Sequence, residues 1–234
     1  MSNAAAPPIQ LDIDVGPGIG HVSGLLARPA DTWLLYVLAH GAGAGMRHHF
    51  LEGIADSLAA RGIATLRYQF PYMESGSRRP DAPAVAHATA RAAVALATEL
   101  APDLPITAGG KSFGGRMTSQ AAAELLPGIH GLAFLGFPLH APGRPATSRA
   151  EHLDSVELPM LFLQGTRDQF AQLDLISSVS ARLGDRATLH VIDGADHSFN
   201  VPKRAGRSAS EIMDELADTF AVWARSSVLP KASR

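Results

Sequence analysis

Apolar and polar residues follow one another along the chain in patterns that predict strands and helices in turn. Segments 9–15 and 22–26 alternate between apolar and polar residues, as strands with one exposed face do. Later segments are continuously apolar, as strands buried on both faces of a parallel sheet are; they lie at 33–39, 63–66, 105–108, 132–137, 160–163 and 187–192. Helical spacing of apolar residues occupies 50–60, 82–100, 113–126, 171–183 and 208–224. The succession predicts an α/β fold with a mostly parallel central sheet of about eight strands and helices on both faces.

Length and composition add limits to this picture. The chain has 234 residues, of which 46% are hydrophobic and 18% charged, and this predicts a single globular domain over 1–234. Flexible tails are expected at 1–8 and 226–234. No cysteine is present, which excludes disulfides, thiolate metal sites and a cysteine nucleophile.

Charge and hydropathy also bear on partners. The formal net charge is -2, so the composition does not indicate the basic surface that nucleic-acid-binding proteins usually have. No apolar run is long enough to span a membrane, and residues 1–10 lack the pattern of a secretory signal. We therefore expect a cytoplasmic protein with neither a nucleic-acid nor a membrane partner. No coiled-coil pattern is present, and the oligomeric state is left open.

A glycine-rich segment follows the apolar run at 105–108 and precedes a helical pattern. Gly110, Ser112 and Gly114 form the pattern G-x-S-x-G in this strand–turn–helix context. A serine on such a sharp turn is exposed as a nucleophile, and only very small residues fit two positions to either side. A phosphate-binding loop is the alternative for the same glycines, but Pro105 stands where its first glycine is required.

A serine nucleophile needs a base, and the base needs an acid that orients it. Asp168 and His197 follow the apolar runs at 160–163 and 187–192, in the order serine, acid, histidine that this type of site requires. We predict the triad Ser112, Asp168 and His197. Asp196 is an alternative acid, but it would have to fold back along its own chain to reach the neighbouring His197.

Backbone N–H groups that stabilise a developing oxyanion are expected at two places. One is Phe113, directly after the nucleophile, and the other lies in the loop 40–45, His-Gly-Ala-Gly-Ala-Gly. Ala42 is the first choice there and Gly43 the second, with His40 packing the loop. Lys111 is expected to point away from the site, because alternate residues at the turn face opposite ways.

Several of these segments resemble the α/β-hydrolase superfamily, and more narrowly its dienelactone-hydrolase-like group. That group includes testis-expressed hydrolase-like proteins and a hydrolase-like subunit of a chromatin acetyltransferase complex. The segments that carry the resemblance are 38–45, 70–74, 109–116, 136–140, 164–168 and 195–199. The resemblance implies the α/β-hydrolase fold and the same triad positions. The short segment 139–158, where larger relatives insert a lid, predicts a loop and no large cap domain.

These observations predict a serine hydrolase that cleaves a small ester or thioester through an acyl-enzyme on Ser112. The mechanism needs neither a metal nor an organic cofactor. The alternatives are a non-enzymatic interaction module that retains the fold, and acyl transfer or perhydrolysis at the same serine.

Overall fold

An eight-stranded sheet runs through the protein and separates two layers of helices. The computed structural model describes residues 7–229. The strands follow the order β1-β2-β4-β3-β5-β6-β7-β8 across the sheet; β2 is antiparallel to its neighbours β1 and β4, and the remaining pairs are parallel. Their bounds are β1 Ile9–Asp14, β2 His21–Ala27, β3 Leu34–Ala39, β4 Ile63–Tyr68, β5 Ile106–Lys111, β6 Gly131–Leu135, β7 Met160–Gly165 and β8 Ala187–Ile192.

Helices connect these strands and cover both faces of the sheet. Their bounds are α1 His49–Ala59, α2 Pro71–Glu74, α3 Pro83–Leu100, α4 Phe113–Glu124, α5 Leu173–Leu183 and α6 Ala209–Ser227. Helices α3, α4 and α5 pack on one face, and α1 and α6 pack on the other. Successive residues of β3 serve the two layers, because side chains alternate along a strand: Leu35 and Val37 face the first layer, and Leu34 and Tyr36 face the second. The predicted α/β class and the predicted strand number are confirmed.

Two segments depart from the sequence-based expectation. Helix α6 continues to Ser227, so the expected tail from 226 overlaps a helix; residues 1–6 and 230–234 lie outside the described residues. The predicted loop between β6 and β7 contains a 3₁₀ segment, Ser148–Ser155, whose Ala150 and Leu153 are buried against the core. The short length of this connection leaves the carboxyl ends of β5 to β8 without a large cap domain.

Candidate active site

Ser112 lies on a strained turn between β5 and α4. Its φ of 50° and ψ of -115° place a non-glycine residue in a sparsely populated backbone region. The neighbouring glycines make this turn possible: a Cβ on Gly110 would lie 2.2 Å from the Ala39 oxygen, and one on Gly114 would lie 2.5 Å from the His40 oxygen. Ser112 is also the N-cap residue of α4, so the helix dipole favours negative charge beside it.

The structure brings the three predicted triad residues into one hydrogen-bonded chain. His197 Nε2 lies 2.8 Å from Ser112 Oγ, and His197 Nδ1 lies 2.7 Å from Asp168 Oδ2. With the Nδ1 proton donated to the carboxylate, Nε2 is free to accept the serine proton. Ser112 follows β5, Asp168 follows β7 and His197 follows β8, so the parallel strands deliver all three groups to one edge of the sheet.

Asp168 is buried, and both of its carboxylate oxygens accept hydrogen bonds. Besides the histidine N–H, Oδ2 accepts a hydrogen bond from the Gln164 side-chain amide, and Oδ1 accepts one from the Phe170 backbone N–H at 2.7 Å. Asp196, the alternative acid, instead accepts the backbone N–H groups of Ser198 and Asn200 at 2.8 and 2.9 Å. The structure therefore places Asp168, and not Asp196, in hydrogen-bond contact with His197.

The surroundings of His197 favour its neutral form. Burial lowers the pKa of this imidazole below its ordinary range, with a further lowering by the Lys111 ammonium. The hydrogen bond to Asp168 and the charges of Asp168 and Asp196 act in the opposite direction without reversing the result. A neutral imidazole is the form that can take a proton from Ser112.

The two backbone N–H groups predicted as oxyanion donors have no acceptor among residues 7–229. These belong to Phe113, the first residue of α4, and to Ala42, in the loop after β3. The neighbouring Gly43 N–H is already donated to the Tyr72 hydroxyl oxygen at 2.9 Å, so Gly43 cannot supply a donor in this conformation. The structure thus favours Ala42 over Gly43 as the second donor.

His40 fastens the loop that carries Ala42. It is fully buried, its Nδ1–H donates to the Gly41 oxygen at 2.8 Å, and its Nε2 accepts the Phe70 N–H at 3.1 Å. Burial lowers the pKa of His40 to about 4, against a smaller raising effect from the hydrogen bond to Gly41. His40 is therefore a neutral structural residue that joins the ends of β3 and β4.

A cavity of about 410 Å³ lies beside the triad. It is bounded by the loop after β3, the start of α1, the turn at Ser112 and the loop after β8. Phe70 and Tyr72 pack against His40 at the start of the loop after β3, with ring centres 4.9 and 6.0 Å from that of the imidazole. The lining residues are Gly41, Ala42, Ala44, His48, His49, Phe50, Leu51, Lys111, Ser112, Phe170, His197, Ser198 and Asn200.

The expectation that Lys111 points away from the site is wrong. Its ammonium donates to the backbone oxygen of His197, and its side chain lines the cavity beside Ser112. Alternation of side chains holds along a regular strand, but Lys111 ends β5 and the next residue has positive φ. A flexible four-carbon side chain then reaches the neighbouring loop.

Two further residues at the site escape the sequence patterns. Gln164 lies on β7 directly after an apolar run, and a polar residue inside a buried strand was the available signal. Tyr72 follows β4, and no sequence pattern predicts the contact of its hydroxyl group with Gly43.

Within residues 7–229, no group of three or more His, Cys, Asp or Glu side chains is arranged to hold a metal ion. In the same part of the chain, none of the helices has the length and apolar character needed to cross a membrane.

Curated sequences with significant similarity include two from Mycobacterium tuberculosis, from strains H37Rv and CDC 1551. Each is provisionally named a phosphoribosyl transferase and is 30% identical over 222 residues, covering 92% of this chain. The chain spans about half the length of these relatives, 48% of each. The name therefore describes proteins about twice as long as the matched segment.

Solved structures share the architecture over nearly the whole chain. Dienelactone hydrolase from Anabaena variabilis has a TM-score of 0.74 and 20% identity, covering 96% of this chain and 100% of that one. XC6422 from Xanthomonas campestris, described as an α/β serine hydrolase without lid, has a TM-score of 0.73 and 21% identity, covering 97% and 98%. The esterase domain from Rhodothermus marinus has a TM-score of 0.71 and 18% identity, covering 96% and 100%. At these identities the likeness establishes a shared fold, and it agrees with the resemblance found in the sequence.

The family assignment rests on a direct match to the chain itself. Residues 33–225 match the family described as the alpha/beta hydrolase domain. This range includes β3 to β8 and all three members of the hydrogen-bonded chain at the site. The protein therefore belongs to the α/β-hydrolase family.

Proposed function

We propose that this protein is a serine hydrolase that cleaves a carboxylic ester or thioester through an acyl-enzyme on Ser112. The observation that carries the proposal is the continuous hydrogen-bonded chain from Ser112 Oγ through His197 to Asp168, with separations of 2.8 and 2.7 Å. A serine hydroxyl is a weak nucleophile at neutral pH, and this arrangement is what activates it.

In the acylation step, a proton moves along this hydrogen-bonded chain from Ser112 to His197. Ser112 Oγ attacks the acyl carbonyl carbon while His197 Nε2 takes the hydroxyl proton, and the tetrahedral intermediate then expels the alcohol or thiol, which leaves with that proton. Asp168 holds the imidazole in the required tautomer and stabilises its charged form. Deacylation repeats the sequence with water as the nucleophile, releasing the acid and restoring Ser112.

In this mechanism the backbone N–H groups of Phe113 and Ala42 stabilise the negative charge on the intermediate. The Phe113 and Ala42 N–H groups have no acceptor among the described residues and flank Ser112. Loss of one such donor in other serine hydrolases costs about 100- to 1,000-fold in kcat. The α4 dipole, which begins at Ser112, adds to the same stabilisation.

The cavity sets the scale of the substrate. A volume of about 410 Å³ lies in the range of small-molecule pockets, roughly 300–1,000 Å³. Phe50, Leu51 and Phe170 give it apolar surface, which suits a small ester or thioester with an apolar acyl group.

Covalent labelling with a fluorophosphonate tests the proposal. Wild type should be labelled at Ser112, identified by mass spectrometry of the modified peptide, and Ser112→Ala and His197→Ala should lose labelling while retaining the circular dichroism of wild type. Ser178→Ala is the matched control, because Ser178 is exposed on α5 and should not affect labelling. A compact sulfonyl fluoride tested in parallel removes any effect of probe size.

Either outcome decides between the two classes of function. Labelling confined to Ser112 justifies kinetics on esters and thioesters of graded acyl length, with product analysis to separate hydrolysis from acyl transfer. Absence of labelling by both probes in folded wild type would overturn the proposal in favour of an interaction module that retains the fold.

A further inference from the structure

Lys111 lies directly before the nucleophile and contacts the residue that carries the base. Its ammonium donates a hydrogen bond to the backbone oxygen of His197. The Nζ atom also lies 5.3 Å from the centre of the Phe199 ring and 5.9 Å from that of Phe50. These two rings are stacked on each other at 5.6 Å, so the ammonium sits against a fixed aromatic wall.

Gly136, after β6, leaves the space that this contact requires. A Cβ at Gly136 would lie 2.9 Å from Lys111 Nζ and 3.3 Å from His197 Nδ1. Any side chain at this position would crowd Lys111 and His197. Glycine has no side chain and so allows the two residues to lie close together. Lys111 ends β5, Gly136 follows β6 and His197 follows β8, so this contact joins three strand ends at one edge of the sheet.

We propose that Lys111 is a positioning residue for His197: it anchors the loop that carries the base and keeps a positive charge next to the imidazole. The inference rests on the proposed function of the triad and adds a role that the triad itself does not include. In this role Lys111 does not touch the reacting atoms. It acts through the position and the proton affinity of His197.

Charged groups reach His197 from three parts of the structure. Asp168, after β7, and Asp196, in the same loop as His197, favour the imidazolium, whereas Lys111, at the end of β5, opposes it. Without Lys111 the two carboxylates act on His197 with less opposition, and a protonated His197 cannot accept the Ser112 proton. The ammonium thus helps to keep the base available under mildly acidic conditions.

The charge state of Lys111 supports this role at neutral pH. Burial lowers the pKa of Lys111 to about 8, against raising effects from Asp168 and Asp196. Most molecules therefore carry the ammonium at pH 7, and the charge is lost as pH rises past about 8.

Three substitutions separate the tether from the charge. Lys111→Met removes both, Lys111→Gln retains a side-chain N–H but no charge, and Lys111→Arg retains the charge. Lys203→Met is the matched control, because it removes the charge of an exposed lysine in the 3₁₀ segment Lys203–Ala205.

The first measurement is the pKa of His197 itself, from the pH dependence of its imidazole Cε1–H signal in NMR spectra. The chain has ten histidines, so the signal is assigned by its absence in His197→Gln. Lys111→Met and Lys111→Gln should raise the His197 pKa, and Lys111→Arg and Lys203→Met should leave it close to wild type. This readout does not depend on turnover, so it distinguishes failure of this inference from failure of the proposed hydrolase function.

Kinetics on an ester that wild type cleaves provide the second measurement. In Lys111→Met, kcat should fall by up to about 100-fold, because a small misplacement of the base is costly. The acidic limb of the kcat/KM profile should move to higher pH while KM changes little. An unchanged His197 pKa, or a variant in which only KM rises, would overturn the inference and assign Lys111 to substrate binding instead. Should Lys111→Met fail to fold, Lys111→Gln and Lys111→Arg supply the same comparison.

Discussion

Gln164 and Asp168 are joined by a buried side-chain hydrogen bond, in which the Gln164 amide N–H donates to Asp168 Oδ2. The other end of the same amide accepts the Phe137 N–H at 3.0 Å, so both polar ends of Gln164 are occupied. The side chain is fully buried and links the loop after β6 to the triad acid. Its orientation fixes the carboxylate that in turn fixes His197.

Replacement of Gln164 should therefore have different effects on activity and stability, depending on whether the new side chain is charged. Gln164→Glu retains the shape but places a second carboxylate against Asp168, and we expect kcat to fall by at least about 10-fold because the two like charges repel each other. Gln164→Met leaves the Phe137 N–H and an Asp168 oxygen without a partner, which costs about 1–3 kcal/mol of stability for each buried polar group. Steady-state kinetics and urea unfolding measure the two effects.

The exposed Gln10 on β1 supplies the control for these variants. Gln10→Ala should leave kcat and unfolding unchanged. Wild-type kinetics in Gln164→Glu would contradict a role for Gln164 in holding the acid.

Tyr72 holds the loop that carries the second oxyanion donor. Its hydroxyl oxygen accepts the Gly43 N–H at 2.9 Å, one residue after Ala42. Tyr72→Phe removes this bond, so we expect a fall in kcat of about 10-fold or more with little change in KM, since the donor acts mainly on the intermediate. The unfolding free energy should decrease by about 0.5–1.5 kcal/mol.

Tyr68→Phe is the matched comparison, four residues earlier. The Tyr68 hydroxyl is buried and has no hydrogen-bond partner of acceptable geometry among the described residues. Its removal should leave kcat unchanged and should be neutral or stabilising, because no bond is broken. Equal kinetic losses in Tyr72→Phe and Tyr68→Phe would indicate general damage to the core and not a specific effect on the loop.

The sequence predicted the parts of this site that depend on strand order, and missed those that depend on side-chain reach. Ser112, Asp168 and His197 each follow a strongly apolar strand, and parallel strands present their carboxyl ends at one edge. The roles of Lys111 and Gln164 depend on contacts from the ends of strands to neighbouring loops, the first to His197 and the second to Asp168. Such contacts depend on rotamers and loop positions, which no local pattern of apolar residues encodes.

Glycine at position 114 is required by the turn that exposes the nucleophile. A Cβ at Gly114 would lie 2.5 Å from the His40 oxygen and 2.6 Å from the Ala39 Cβ, so α4 and β3 would have to separate. We expect Gly114→Ala to destabilise the protein by about 1–3 kcal/mol or more, as overpacking of a core does, and to reduce fluorophosphonate labelling of Ser112. Urea unfolding and labelling rates measure these effects.

Gly53→Ala, in the middle of α1, should have the opposite effect on stability to Gly114→Ala. A Cβ there would meet only the Met213 side chain at 3.7 Å, an ordinary contact. Because alanine is favoured over glycine inside a helix, this variant should be stabilised by up to about 1 kcal/mol with unchanged labelling. Destabilisation of both variants by the same amount would show that the close approach at Gly114 is not the cause.

His40 makes the stability of the protein depend on pH. Its folded-state pKa of about 4 lies below the ordinary value of 6.5, mainly because of burial, so the unfolded chain binds this proton first as the pH falls. Neutral His40 makes its full contribution to the unfolding free energy above pH 6.5, and this contribution is lost progressively as the pH falls towards about 4. A difference of this size corresponds to about 3 kcal/mol of unfolding free energy.

Urea unfolding of wild type and His40→Gln across this range measures that contribution. Glutamine does not titrate, so the variant should be less stable than wild type at pH 7 but should lose less stability between pH 6.5 and 4. Some slope should remain, since burial also lowers the pKa of His152 to about 4. Gln10→Ala, at an exposed position on β1, removes no titratable group and should retain the wild-type slope. If His40→Gln showed the same pH dependence as wild type, the neutral His40 that joins the Phe70 and Gly41 backbones would not be the source of acid sensitivity.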